Sequence, residues 1–250
     1  MSGAEIRMLP DPAALADAAA ADATAIVRDA VAHRGHAAVM FASGNSQLAF
    51  LDRLTADPSM PWDALTGFHM DEYVGIGADH RASFAGYMRD RIVARTSIAD
   101  FHVIDGTAPP DEECVRYAAL LATHPLDLCV LGIGENGHLA FNDPPVADFA
   151  DPLPLKVVTL DDACRRQQVG EGHFPDVDAV PATAITVTIP TLLAAAHVIV
   201  VAPDARKAAP VTAAFTGPVT TACPASILQT VDHATVYLEP ASAAGLPSTT

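Results

Sequence analysis

The chain has 250 residues, half of them hydrophobic and only 18% charged, which suits one α/β domain with a sizeable core and argues against disorder. Its net charge of −16 repels polyanions, so nucleic acid and anionic membranes are not expected partners. There is no run of eighteen apolar residues, no basic-then-apolar leader and no CxxC pair among Cys114, Cys129, Cys164 and Cys223, which together predict a soluble, cytoplasmic protein with reduced thiols.

Residues 12 to 35 are alanine-rich, carry Leu15, Ile26, Val27 and Val31, and end at Gly35, which predicts a long helix with a glycine stop. A buried strand follows over 37–42. Ser43-Gly44-Asn45-Ser46 then leads into a helical pattern at Leu48, Leu51 and Leu54. A second strand over 65–70 runs into Asp71-Glu72-Tyr73. Phe84, Met88 and Ile92 mark a helix over 83–95. The pattern continues with a short strand at 101–104, an amphipathic helix over 111–123 with an acidic first turn, and a strand over 127–133. Strands at 157–160, 184–189, 198–202 and 234–238 complete eight candidates, with helical stretches at 190–196 and 204–215, the latter kinked or shortened by Pro210. Strands alternating with helices predict a three-layer α/β fold whose largely parallel central sheet is covered on both faces. A single domain is expected over 1–240, with a flexible tail over 241–250.

Several segments carry groups suited to chemistry. Gly132-Ile-Gly-Glu-Asn-Gly-His-Leu-Ala-Phe-Asn-Asp-Pro144 follows the apolar run 126–130 directly. It places Asn136, His138 and Asp143 on a glycine-rich turn at a strand's carboxyl end, where ligands bind in open α/β sheets. There a carboxylate can hold the imidazole in one tautomer for proton transfer, although a turn with a capping histidine would look the same. The lack of another histidine within a helical turn of His138 argues against a metal. Asp71 and Glu72 end another strand, and alternation sends them to opposite faces, so at most one enters a shared pocket. Ser43–Ser46 sits at a strand-to-helix junction that can cradle an anion on backbone N–H groups, or can be an ordinary capped turn. Lys207, one of only two lysines, opens a later helix and could add a point charge. Arg165 and Arg166 could also touch an anionic substrate.

Phe68-His-Met-Asp-Glu-Tyr-Val-Gly75 together with Gly132–Pro144 closely resembles the glucosamine-6-phosphate deaminase family, sugar-phosphate isomerases of Rossmann-like fold related to 6-phosphogluconolactonases. The resemblance runs from about Val39 to Phe215, with Ser43–Ser46, Ser83, Val180-Pro181 and Lys207 in order. It implies conversion of D-glucosamine 6-phosphate and water to D-fructose 6-phosphate and ammonia, without metal or redox cofactor. It also implies roles. Asp71 is the base that moves a proton between C2 and C1. His138 opens the pyranose ring, oriented by Asp143 and assisted by Asn136. Gly44, Asn45, Ser46 and Lys207 hold the phosphate.

The chain departs from that pattern in places. Asp143 stands where many members have Glu. The phosphate-binding arginine of the best-known members has no counterpart in Val169-Gly-Glu-Gly-His-Phe174, which leaves Arg165 or Arg166 as substitutes. Residues 145–154 lack the serines and arginine of the N-acetylglucosamine-6-phosphate site in regulated members, so no such activation is expected. Tyr73 and Glu135-Asn-Gly-His138 favour a deaminase over a 6-phosphogluconolactonase. The same motifs are also compatible with a deaminase for galactosamine 6-phosphate or another epimer, and with a non-catalytic sugar-phosphate sensor. The expected partner is a small sugar phosphate, and the sequence also allows a homo-oligomer.

Overall fold

Short β-branched runs alternate with capped helices along most of the chain, and the elements follow from that alternation. The computed structural model describes residues 3–170 and 172–247. In chain order they are β1 (Glu5–Met8), α1 (Pro12–Arg34), β2 (Ala37–Phe41), α2 (Leu48–Ala56), β3 (Leu65–His69), β4 (Asp71–Tyr73), α3 (Phe84–Arg91), β5 (Asp100–His102) and α4 (Pro110–Thr123). Then come β6 (Leu128–Leu131), β7 (Leu155–Thr159), α5 (Asp162–Gly170), β8 (Thr183–Val187), α6 (Ile189–Leu193), β9 (His197–Val201), α7 (Ala208–Thr216) and β10 (Ala234–Leu238). Helix α1 starts where Asp11 accepts a hydrogen bond from Ala14 N at 2.8 Å and Pro12 takes the first helical position.

Seven strands form one parallel sheet in the order β1-β10-β9-β6-β2-β3-β5. Both faces are covered, so the central strands are apolar throughout, and β2 is buried at every residue. Alternate residues of β2 serve different cores. Val39 and Phe41 pack with Leu15, Val27, Phe50 and Leu54 from α1 and α2. Ala38 and Met40 pack with Tyr117, Leu192 and Val211 from α4, α6 and α7. The alternation expected from the sequence thus becomes a three-layer α/β domain.

Several features were not visible in the pattern. Asp71–Tyr73 does not continue β3. The chain crosses at Met70, whose carbonyl accepts from Val187 N at 2.8 Å, and β4 joins an antiparallel sheet in the order β4-β8-β7. Strand β1 is an edge strand with charged Glu5 and Arg7, and it lacks an apolar run. Helix α5 buries only Cys164 and Gln168, too few to give helical periodicity. Pro210 falls in the first turn of α7, where its missing N–H is harmless, and the helix runs on to Thr216 without interruption by it.

Residues 241–247 make defined contacts. Glu239 accepts hydrogen bonds from Ala241 N and Ser242 N, Ser242 is buried, and Leu246 packs on the core. Residues 248–250 of the expected tail lie outside the described residues. Among the described residues, no helix is long and apolar enough to cross a membrane.

Candidate active site

The chain leaves β2 toward β3 on one side and returns from β6 to β9 on the other, so the sheet has a switch point between β2 and β6. Loops from the carboxyl ends of β2, β3, β6 and β9 meet there, the usual place for a ligand in such a sheet. They line an open cleft. Six of the eight residues singled out in the sequence line it: Gly44, Asn45, Ser46, Asp71, His138 and Lys207. Asn136 and Asp143 do not line it but hydrogen-bond to His138 and to each other.

On one wall, Gly44 has φ +106°, a left-handed conformation that favours glycine, and it turns the chain from β2 into a short 3₁₀ turn over Asn45–Gln47 that leads into α2. Buried Lys207 ends the corresponding 3₁₀ turn after β9, Ala205–Lys207, as Gln47 ends the first. The start of that turn is fixed by Asp204, whose N–H donates to Glu239 at 3.0 Å. Backbone N–H groups and an ammonium thus flank one end of the cleft, an arrangement suited to an anion.

On another wall, His138 Nδ1 lies 2.8 Å from Asp143 Oδ1. Asn136 Nδ2 donates to the same oxygen at 2.8 Å, and Asn136 Oδ1 accepts from His138 N at 3.0 Å. An aspartate at 136 would set a carboxylate against Asp143, whereas the amide supplies the donor that oxygen needs. Burial opposes ionisation of Asp143, but hydrogen bonds from His138, Asn136 and the Cys164 thiol win and hold its pKa below the ordinary value. As an ionised acceptor, Asp143 orients the His138 ring through Nδ1, the arrangement by which a carboxylate leaves the other ring nitrogen for proton transfer.

The ring of His138 rests on Gly134, and a Cβ at that position would stand 2.2 Å from Nε2. Gly134→Ala should therefore displace the imidazole and lower kcat/KM at least about 10-fold, since a misplacement of about 1 Å can cost 100-fold. Steady-state kinetics beside an unchanged circular dichroism spectrum would show this, and wild-type kinetics would refute it.

Asp71 and Glu72 separate as alternation requires. Asp71 faces the cleft. Burial, reinforced by the charges of Glu72 and Asp143, raises its pKa well above the ordinary value, which makes its ionised form a stronger base. Glu72 instead turns into the protein and grips the start of α3. It accepts from Ser83 Oγ at 2.7 Å, Ala85 N at 2.8 Å, Tyr73 N at 2.9 Å and Phe84 N at 3.2 Å. Burial still lifts its pKa above the ordinary value against those bonds. Glu72→Ala strands these donors and should cost about 3 kcal/mol or more. Urea unfolding checks this, and a loss under about 1 kcal/mol would mean that the donors find other partners.

His138, Asp143 and Cys164 also bring one nitrogen, one oxygen and one sulfur atom within 4.8 Å of one another, a set that could ligate a cation. In the metal-free arrangement, burial and then the nearby Asp143 charge push the Cys164 thiol far up, and both the thiol and His138 Nδ1 bond to the Asp143 carboxylate.

Neither arginine offered by the sequence enters the cleft. Arg165 donates to the carbonyls of Val177 and Val180 at 2.6 and 3.2 Å. Arg166 pairs with Asp162 at 3.9 Å and lines a separate outer groove with Asn136 and Arg206. The cleft is closed on that side by Gln167, Gln168 and His173, which sequence reasoning did not single out because they belong to or follow the polar helix α5.

Residues 10–237 match the family model described as glucosamine-6-phosphate isomerases/6-phosphogluconolactonase. The curated glucosamine-6-phosphate deaminase of Streptococcus equi subsp. zooepidemicus (strain H70) is 33% identical over 208 residues, 82% of this chain and 86% of the relative. That of Listeria innocua serovar 6a is 35% identical over 176 residues, 70% of this chain and 73% of the relative. A solved structure described as a monomeric glucosamine-6-phosphate deaminase superposes with a TM-score of 0.86 at 26% identity, covering 96% of this chain and 99% of that one. The 6-phosphogluconolactonase of Trypanosoma brucei shares the fold, with a TM-score of 0.80 at 17% identity over 99% of this chain and all of that one. Because the family match spans nearly the whole chain, this protein belongs to the glucosamine-6-phosphate isomerase/6-phosphogluconolactonase family.

Proposed function

We propose that the protein converts D-glucosamine 6-phosphate and water to D-fructose 6-phosphate and ammonia. The observation that carries this reading is a single cleft holding the Asp71 carboxylate, the His138–Asp143 pair and the Ser43–Ser46/Lys207 anion cradle. The phosphate sits on the turn after β2 and on Lys207. His138 Nε2 moves the proton between the ring oxygen and the C1 hydroxyl, which opens the pyranose, while Asp143 stabilises the imidazolium that forms. Asp71 then takes the C2 proton while O1 gains a proton, giving the enolamine, and returns it at C1 while the nitrogen gives up a proton, leaving a C1 hydroxyl and the C2 imine. Water adds at C2 and ammonia leaves. Each proton removed is returned, so substrate and water together account for both products. Asp71 fits the base role because burial favours its neutral form, which makes the ionised form a stronger base than an exposed carboxylate.

The test is ammonia release from glucosamine 6-phosphate by the purified protein. The expected result is hyperbolic kinetics that N-acetylglucosamine 6-phosphate does not alter. Rapid hydrolysis of 6-phosphogluconolactone with no ammonia would move the assignment to the lactonases. Faster ammonia release from galactosamine 6-phosphate would change the epimer and leave the mechanism in place.

A further inference from the structure

We propose that the Gln168 carboxamide binds a hydroxyl of the sugar, at C3 or C4, and so helps to set which sugar phosphate the cleft accepts; the assignment rests on the amino-sugar-phosphate reading of the cleft. Gln168 lies near the end of α5, is 5% exposed and lines the cleft. Its Oε1 is buried and has no hydrogen-bond partner among the described residues. A buried acceptor without a donor is costly, and such an atom in the wall of a binding cleft calls for a donor from the ligand.

The helix holds the amide in that wall. Cys164 and Gln168 are the two buried residues of α5, four positions apart and therefore on one face. Cys164 bonds to Asp143, the carboxylate that orients His138. Gln168 follows one helical turn further on, about 5.4 Å along the axis, where that face meets the cleft. The end of the helix is anchored as well, because the Gln168 carbonyl accepts from His173 N at 3.1 Å. Neighbouring Gln167 is engaged elsewhere, with its Oε1 accepting from Glu135 N at 3.1 Å.

The partner that Oε1 lacks has to be a donor. A phosphoryl dianion only accepts, so the phosphate cannot satisfy it. His138 works on the ring oxygen and the C1 hydroxyl, Asp71 on the C2 proton, and the turns after β2 and β9 on the phosphate. The C3 and C4 hydroxyls are then the sugar's unassigned hydrogen-bonding groups. Much of the remaining lining, Met70, Phe84, Ile133 and Phe141, is apolar and offers them little. An amide suits a hydroxyl on both counts, since Oε1 receives its proton and the NH₂ group can donate back. A sugar lacking that hydroxyl leaves the buried amide unpaired, which is how a polar site rejects an analogue more strongly than an apolar pocket does.

The experiment measures kcat/KM for ammonia release from glucosamine 6-phosphate and from its 3-deoxy and 4-deoxy analogues, with wild type, Gln168→Leu and Gln168→Asn. Leucine removes the amide, and asparagine withdraws it by one methylene. Wild type should prefer the parent sugar over one of the analogues by about 10-fold or more. In both variants that preference should fall to within about twofold, chiefly through lost activity on the parent, and the analogue concerned identifies the hydroxyl. Preferences unchanged from wild type in both variants would overturn the assignment and point to the C2 amine as the donor. Equal wild-type activity on all three sugars would also overturn it. If wild type releases no ammonia, calorimetric affinities for the same sugars carry the comparison. A preference for the parent that vanishes in the variants would then end the deaminase reading and keep the hydroxyl contact, whereas equal affinity for all three would end both.

Discussion

Asp71→Asn should lower kcat for ammonia release by about 100- to 10,000-fold while raising the melting temperature at neutral pH. The loss follows from removing the group that carries the proton from C2 to C1, with the His138 side of the site intact. The gain follows from the environment of the same carboxylate. Asp71 is buried beside Glu72 and faces the charge of Asp143, so its folded pKa lies well above its unfolded one. Between the two values the folded state binds the extra proton. Stability therefore falls as pH rises through that window, and above the folded pKa the full penalty is present. Each tenfold increase in proton affinity corresponds to about 1.4 kcal/mol at pH values above both. An amide escapes the penalty, so the variant should melt above wild type, by about 2–4 °C for each kcal/mol removed in a chain of this size. Below the unfolded pKa, near 4, the two proteins should converge. A variant that is inactive but melts at or below the wild-type temperature at pH 7 would contradict this electrostatic account. Wild-type activity in the variant would remove Asp71 from the mechanism.

The separation of Asp71 from Glu72 was legible in the sequence because a strand has period two, whatever sheet it joins. That they lie on a strand of the second sheet was not legible, since the crossing at Met70 depends on a hydrogen bond to Val187, more than a hundred residues away. The glycine-rich loop announced His138 and Asp143 through composition. It did not reveal that Asp143 bonds to the imidazole without lining the cleft, because side-chain order along a loop carries no depth. The central strands were readable as unbroken apolar runs. Strand β1 and helix α5 were not, because an edge strand and a helix with two buried residues leave no periodic signal. The same silence hid Gln167, Gln168 and His173. The local cue that could have found His173 is its place between a glycine turn and a buried aromatic residue within an otherwise polar stretch. The arginines beside them were the more conspicuous cations, but main-chain carbonyls had already claimed Arg165.

Asp143→Asn should lower kcat by about 100-fold or more, with a stability change opposite in sign to that of Asp71→Asn. The carbonyl of an asparagine can still face His138 Nδ1 and Asn136 Nδ2, so the tautomer can be kept. What disappears is the negative charge that stabilises the imidazolium formed as the ring opens. Burial disfavours the charge of Asp143, yet hydrogen bonds from His138, Asn136 and Cys164 outweigh it and depress the folded pKa. A depressed carboxylate contributes stability that is fully present above its unfolded pKa and is lost as pH falls through the folded one. The asparagine variant should accordingly melt below wild type at pH 7, and the difference should close in acid. The two carboxylates are also coupled, because the charge of Asp143 is one of the causes raising the pKa of Asp71. Removing it should move the acid limb of the kcat/KM profile to lower pH even as the plateau drops. An unmoved acid limb would show that burial and Glu72 alone set the basicity of Asp71. A limb moved to higher pH would mean that the group titrating there is not Asp71.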